Sequence, residues 1–351
     1  MAIPLFNLIL AVIIGLATGL VLQKGRICAN TAFRNLLLIK NSELASALFV
    51  TVLVELIGYQ ILELLPGTNF VSNPIPFSFV LLPSGAFIFG IGTVIAGGCA
   101  GGTCYRIGEG SMKSLLAFIG FGIGVGVLVI DPFKNIVDGL RASTDWSIND
   151  QIPSLEIFFP RWVWTAIAII LMIIFVFFQK EKTSKLTHLR PQWTPLISGV
   201  FLGFLGISAR ITSTPTGRAF GFSTTDGIGE LFQALAGILN LVDLDTIGWA
   251  GFFIIGLIGG SFISSLETKE FKVKVPAAWE IVKFSGGGFI LGFGAMLALG
   301  CNFSHILGGI PELGISSLVA TLLMILGNWI ASFILYKRLN QPIPSSTPIL
   351  L

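Results

Sequence analysis

The sequence predicts an all-α polytopic membrane protein of about nine transmembrane helices in two inverted repeats, and two observations carry that prediction. Of 351 residues, 54% are hydrophobic and 11% are charged, whereas soluble proteins average about 25% charged residues. The second observation is a duplication: residues 85–99 (GAFIFGIGTVIAGGC) and 287–301 (GGFILGFGAMLALGC) are identical at eight of fifteen positions. Both copies end in a cysteine.

Nine apolar runs are expected to cross the bilayer, because about 20 apolar residues span a hydrocarbon core of about 30 Å. The predicted spans are 5–23, 44–64, 79–98, 112–131, 161–179, 195–208, 247–266, 281–300 and 313–336. The first run has no basic segment before it, so it is interpreted as a span and not as a cleaved signal. The sixth run is short, at about 21 Å, and is expected to end inside the membrane before the polar stretch 210–223.

The charges between spans predict the orientation, because short cytoplasmic loops carry an excess of Lys and Arg. Basic residues cluster in 24–40, 180–190, 269–274 and 337–338, which fall on one side if spans alternate. The acidic connection 132–160 falls on the other side. We therefore expect the amino terminus outside and the carboxyl terminus in the cytoplasm.

The duplication divides the chain into a first repeat (1–140), a connecting segment with one span (141–194), a second repeat (195–338) and a cytoplasmic tail (339–351). Because a single span separates two four-span repeats, the second repeat enters the membrane from the opposite face. Re-entrant loops and short helices are expected to meet near the membrane centre.

Three cysteines are the strongest candidates for a functional site. Cys99 and Cys301 end the duplicated segments, and Cys28 lies in a loop (25–31) whose counterpart is 217–223, with Phe220 replacing the cysteine. A lone apolar cysteine is usually a small core residue, but three at duplicated loop positions favour a role in binding. Thiols suit a soft, sulfur-containing solute.

The residues around these cysteines suggest an anion. Glycines that flank them leave backbone N–H groups free to face a negative charge, and arginines beside the loops add positive charge, although many such arginines only anchor the membrane edge. The candidate binding residues are Cys28, Cys99, Cys301, Gly98, Gly101, Gly300, Arg26, Arg106, Arg218 and His305. Arg26 and Arg218 are interpreted as equivalent.

Two further residues are possible members of the site. Glu55 lies in the middle of a span, where a carboxylate is a functional hypothesis by default; it could be protonated, paired with an arginine or used in proton coupling. Cys104 could join the other thiols or simply pack. The cysteine spacing is poor for zinc, so we expect neither a metal nor a cofactor, and the scattered net charge of +3 gives no reason to expect nucleic acid.

Four motifs resemble the YeeE/YedE family of sulfur-compound transporters. They are GRICANTAFRNLLL (25–38), GGCAGGTCYRIGEG (97–110), PTGRAFGFSTTDGIGELFQ (215–233) and GCNFSHILGGIPELG (300–314). The resemblance implies an hourglass-shaped protein of the bacterial inner membrane that takes up thiosulfate past relay thiols at Cys28, Cys99 and Cys301. It also implies a TusA-like cytoplasmic sulfur carrier as partner, while Cys104 leaves persulfide or selenium species open as solutes.

The resulting hypothesis is a transporter, not an enzyme, in which the anion passes between thiols through S–H hydrogen bonds without a covalent step. The alternative is a membrane thiol oxidoreductase that passes electrons along a cysteine chain. It would require pairing cysteines, yet no CxxC spacing is present. A purely structural membrane subunit is the third interpretation.

Overall fold

The computed structural model describes residues 5–66, 70–148, 151–179, 193–218, 221–238 and 247–338. In these ranges the protein is mostly helical, with one two-stranded pairing. The α-helices are α1 (Leu5–Gly25), α2 (Ala29–Leu38), α3 (Glu43–Leu64), α4 (Leu81–Ile95), α5 (Ala100–Gly108), α6 (Met112–Val127), α7 (Phe133–Thr144), α8 (Arg161–Gln179), α9 (Pro195–Ser213), α10 (Thr224–Ile238), α11 (Trp249–Glu267), α12 (Ala278–Leu297) and α13 (Ile315–Ser332). Two π-helices (Phe303–Gly309 and Phe333–Arg338), two 3₁₀ turns (Leu155–Ile157 and Thr214–Thr216) and the antiparallel strands β1 (Phe77–Ser78) and β2 (Asp145–Trp146) complete it.

Seven helical segments of the described chain are long and apolar enough to cross a membrane. They are Leu5–Leu38, Glu43–Leu64, Leu81–Gly108, Pro195–Thr216, Trp249–Glu267, Ala278–Leu297 and Ile315–Arg338. Two shorter apolar helices, Met112–Val127 and Arg161–Ile174, coincide with the other two predicted spans. The all-α, multi-pass membrane fold is confirmed, while the count of nine spans stays a prediction.

The prediction that the sixth span stops near residue 208 is wrong. Helix α9 continues to Ser213 and, with the following 3₁₀ turn, forms a 22-residue segment. Its polar end remains helical because the hydroxyls of Thr212 and Thr214 donate to carbonyls one turn earlier, at 2.8 and 2.7 Å. Arg210, in the same turn, is buried against Glu312, so the charge does not force the helix to end.

Parts of the sequence interpretation lie outside the described residues. These parts are the basic connection 180–190, Phe220 and the tail 339–351.

Glycine pairs bring two sets of helices into backbone contact, as expected for small residues at helix interfaces in membranes. A Cβ added to Gly15 of α1 would lie 2.3 Å from the carbonyl oxygen of Phe253 in α11. A Cβ added to Gly19 of α1 would lie 2.0 Å from the carbonyl oxygen of Leu257, also in α11. A Cβ added to Gly199 of α9 would lie 2.6 Å from the carbonyl oxygen of Ala47 in α3. These glycines therefore let the helix backbones approach closely.

The two duplicated segments form α4 and α12, and they pack against each other. A Cβ added to Gly92 would lie 2.7 Å from the Leu291 nitrogen, and one added to Gly294 would lie 2.5 Å from the Phe89 nitrogen. In the overlay of the two copies, Gly92 matches Gly294 and Phe89 matches Leu291, so the contacts are reciprocal. The two helices run antiparallel, because the contacts pair Phe89 with Gly294 and Gly92 with Leu291, so the residue number rises along α4 as it falls along α12.

We expect Gly260→Ala, in α11, to destabilise the protein by about 1–3 kcal/mol, the usual cost of overpacking. The new methyl would lie 1.9 Å from the Leu16 carbonyl oxygen, and backbone cannot move aside as a side chain can. The measurement is the thermal unfolding of the detergent-solubilised protein. Gly286→Ala is the control, because Gly286 has no heavy atom within 4 Å of an added Cβ; equal effects of the two substitutions would contradict the packing argument.

Candidate functional site

Two short helices begin at the cysteines inside the protein. Cys28 immediately precedes α2 and Cys99 immediately precedes α5, each with an extended backbone. The Cys99 sulfur accepts the N–H of Gly102 at 3.2 Å, so the thiol caps its own helix. The chain reaches both caps through left-handed residues, Arg26 (φ 53°) and Gly97 (φ 72°). These turns break the long apolar segments just before each cysteine.

The structure brings two of the three predicted thiols into direct contact. The Sγ atoms of Cys28 and Cys99 are 3.5 Å apart, and both side chains are buried. Gly102 makes this contact possible, because a Cβ at that position would lie 2.6 Å from the Cys28 sulfur and 3.1 Å from the Cys99 sulfur. Only glycine leaves the thiols this close.

Cys301 lies in a cluster of hydroxyls. Its sulfur is 2.9 Å from the Thr224 Oγ1 and 3.5 Å from the Ser304 Oγ, and Ser304 donates to the hydroxyl of Ser223 at 3.1 Å. Sequence reasoning missed these hydroxyls. Their position in the chain could have indicated them, because Ser223 immediately precedes α10 just as Cys28 immediately precedes α2.

An aromatic ring links the hydroxyl cluster to the thiol pair. The ring of Phe303 fills the space beside Gly101, where an added Cβ would lie 2.6 Å from the ring, and it lies 5.7 Å from the ring of Phe222. In the described part of the chain, no hydrogen bond joins Cys301 to another cysteine. All four cysteines are free and buried, and Cys104 lies one turn beyond Cys99 in α5.

Side chains occupy the space that the other two predicted glycines leave. A Cβ on Gly98 would lie 2.8 Å from a guanidinium nitrogen of Arg106, which donates to the Gly97 carbonyl at 2.7 Å. A Cβ on Gly300 would lie 2.8 Å from Ser304. These glycines therefore admit polar side chains to the cysteine loops. Whether their N–H groups also face an anion stays a prediction.

Two buried ion pairs lie beside the cysteine loops. Arg26 contacts Glu109 and Glu270, and Arg210 bonds Glu312 at 2.7 Å. Glu109 precedes a left-handed residue, as Glu312 does. Arg26 and Arg210 thus have similar buried glutamate partners, while the equivalence of Arg26 with Arg218 stays a prediction.

The remaining predicted polar residues have protein partners. Arg218 donates to the Asp226 carboxylate at 2.9 Å. His305 is fully buried: its Nε2 lies 3.0 Å from the Ala298 carbonyl oxygen and so donates, which leaves Nδ1 to accept from the Ser317 hydroxyl at 3.2 Å. It is a packed histidine that ties the π-helix to its neighbours.

Two arginines near Cys28 have no carboxylate within 4.0 Å among the described residues. One is Arg106, and the other is Arg34 of α2, which is 4% exposed and has a buried Nε without a partner. Arg34 lies within electrostatic range of both Cys28 and Arg106. Cations that lie at membrane depth without counterions favour an anion. In the described ranges no group of three His, Cys, Asp or Glu side chains is placed to hold a metal ion.

Seven helical segments long and apolar enough to span a membrane define a multi-pass membrane protein. Short helices that begin at buried thiols lie inside it. The chain belongs to the sulphur transport family, whose model matches residues 24–330. This membership confirms the resemblance seen in the motifs.

Two relatives match this chain over nearly its whole length and over nearly the whole of their own. The chain is 33% identical to the thiosulfate transporter TsuA of Spirochaeta thermophila over 348 residues, which cover 93% of this chain and 98% of that protein. It is 30% identical to the thiosulfate transporter TsuA of Escherichia coli over 351 residues, 95% of this chain and 96% of that protein. The probable transporter YedE of Salmonella typhimurium is 35% identical over 95 residues, 26% of this chain and 24% of that protein.

We expect mild oxidation to link Cys28 to Cys99 in preference to any other pair. Their sulfurs are 3.5 Å apart and need to close to about 2.05 Å to form a disulfide. Peptide mapping by mass spectrometry after treatment with copper phenanthroline measures the linked pair. Gly102→Ala should slow the reaction by separating the thiols, and a dominant link to Cys301 or Cys104 would contradict the geometry.

We expect Arg210→Met to lower the free energy of unfolding by about 3–5 kcal/mol, because it leaves a buried carboxylate uncompensated. Glu312 is 2% exposed. The double variant Arg210→Met/Glu312→Gln should recover part of the loss in a thermal unfolding assay. Lys24→Met is the control, since its partner Glu267 is 63% exposed and exposed pairs contribute at most about 1 kcal/mol.

Proposed function

We propose that this protein transports thiosulfate across the bacterial inner membrane into the cytoplasm. The observation that carries the proposal is the Cys28–Cys99 thiol contact at the starts of two interior helices, beside two arginines that lack carboxylate partners. The names of the two full-length relatives support thiosulfate as the solute. A chain of thiols is suited to a sulfur anion, and the arginines supply the opposite charge.

The transport path runs between two inverted repeats. The reciprocal antiparallel contacts of α4 with α12 support this arrangement, because a two-fold axis in the membrane plane exchanges equivalent residues in that way. The two arginine–glutamate pairs, at Arg26 and at Arg210, then lie at opposite ends of the path. The basic connections place the Arg26 end and the carboxyl terminus in the cytoplasm.

The thiols act as weak hydrogen-bond donors to the passing anion. From the outer side the anion meets Cys301 with its hydroxyl neighbours, and then the Cys99–Cys28 pair. Arg106 and Arg34 attract it onward, and the amino-terminal ends of α2 and α5 add partial positive charge. A thiol donates weakly, which suits a path whose sites must release the anion as well as bind it. No bond to sulfur forms or breaks.

A TusA-like sulfur carrier stays the predicted partner on the cytoplasmic side. The competing function is a thiol oxidoreductase, and it would use the same two thiols as a redox pair. The transporter, unlike the oxidoreductase, needs protonated thiols that stay unlinked.

We expect Cys99→Ala to reduce thiosulfate uptake at least about tenfold, the effect of losing a contact of about 1.4 kcal/mol. Uptake of ³⁵S-thiosulfate into proteoliposomes is the measurement. Cys104→Ala is the matched control, because Cys104 is equally buried in the same helix but makes no hydrogen bond with the thiol pair. Its uptake should stay close to that of the parent protein.

Two results would count against the relay. Unchanged uptake by Cys99→Ala would mean that the thiol pair does not contact the anion. A Cys28–Cys99 disulfide that forms during turnover, and whose reduction is needed for activity, would favour the oxidoreductase.

A further inference from the structure

Glu55 is a carboxyl group buried inside the protein without a partner. It lies in the middle of α3, its residue is 0% exposed, and neither carboxylate oxygen has a hydrogen-bond partner. The other buried glutamates beside the cysteine loops, Glu109 and Glu312, both bind arginines. A buried carboxylate without compensation is costly to keep charged, so the arrangement favours a carboxyl group that holds a proton.

The carboxyl group fits a notch made by a glycine. A Cβ on Gly206 of α9 would lie 1.6 Å from the Glu55 Oε1 and 3.1 Å from the Phe222 ring. Gly206 thus leaves room for the carboxyl group between α3 and α9, next to that ring. The absence of a side chain at Gly206 is what lets Glu55 remain inside the helix pair.

The ring beside Glu55 belongs to the candidate site. Phe222 immediately precedes Ser223 and Thr224, whose hydroxyls belong to the cluster around Cys301. Its ring also lies 5.7 Å from that of Phe303. One side chain, that of Phe222, therefore separates Glu55 from the segment that contacts the Cys301 thiol.

The charged and titratable groups on the elements that pack against α3 leave Glu55 unpaired. They are Arg210 on α9, Arg161 on α8, Arg34 on α2, His305 on the π-helix and Glu312 after it, with Tyr59 on α3 itself. Arg210 is bonded to Glu312, and Arg161 is bonded to Glu63 and Glu156.

We propose that Glu55 is the binding site for a proton that is transported together with the sulfur anion. The inference rests on the proposed function, because it supplies the energy coupling for that same path. A dianion that enters a cell with a negative interior moves against the membrane potential. A proton carried on Glu55 in the same direction reduces the net negative charge moved per cycle from two to one.

The exchange of the proton is a simple acid–base step. On the outer side water delivers a proton to the carboxylate, giving the neutral acid in the notch at Gly206. On the cytoplasmic side the acid returns the proton to water and becomes a carboxylate again. No electrons move, and no co-reactant other than water and the pH gradient takes part.

The test uses the purified full-length protein in proteoliposomes, with the membrane potential clamped by potassium and valinomycin. An inward gradient of about one pH unit should drive about tenfold accumulation of ³⁵S-thiosulfate, because one proton accompanies each anion. Glu55→Gln should lose this accumulation yet retain exchange of internal for external thiosulfate. Glu63→Gln is the matched control: it lies in the same helix, is half exposed and pairs with Arg161, and it should accumulate thiosulfate as the parent does.

A second measurement needs no variant. Thiosulfate added outside should acidify the lumen of liposomes that contain the parent protein and the pH dye pyranine. Thiosulfate exchange without acidification, or accumulation by Glu55→Gln equal to that of the parent, would overturn the proton site and leave the transport function intact. The absence of both exchange and uptake in the parent would overturn the proposed function and the proton site with it.

Discussion

The close contact of α4 with α12 is the constraint on which the rest of the structure depends. Both helices come from the duplicated segment, and glycines let their backbones approach until equivalent residues touch reciprocally. Because a left-handed residue, Gly97 or Leu299, lies two positions after the end of each helix, the chain turns sharply at the end of this contact. Cys99 and Cys301 follow directly. The packing of the duplicated helices therefore determines where two of the thiols lie.

Ion pairs anchor the loops that carry the site. The pair at Arg26 ties the loop before Cys28 to the residue after α5, and Gln23 and Ser264 extend it by hydrogen bonds. The pair at Arg210 ties the end of α9 to Glu312, which follows the π-helix. Such pairs cost desolvation and are stable only when both partners are present. Arg34 and Arg106 differ because no carboxylate lies within 4.0 Å of either among the described residues.

Much of this was predictable from the sequence. The hydropathy established a multi-pass helical protein, the four motifs identified the family, and the duplication pointed to Cys99 and Cys301. The sequence interpretation failed where polar residues were read as breaks: α9 continues through Arg210 because a distant glutamate satisfies that charge. It also missed the hydroxyls of Ser223 and Thr224. The comparison of the two loops aligned Arg26 with Arg218, and in that alignment Ser223, the residue before α10, does not fall opposite Cys28, the residue before α2.

The sequence by itself determined the membrane fold, the family and the residue types of the site, because these depend on local hydropathy and on motifs. Only the tertiary structure decided which residues meet. It paired Cys28 with Cys99 and left Cys301 among hydroxyls. It also paired Arg210 with Glu312 and placed Glu55 in the notch at Gly206 without a hydrogen-bond partner. Contacts of this kind join residues far apart in the chain, and whether a buried charge is neutralised depends on the groups that packing brings within a few ångströms of it.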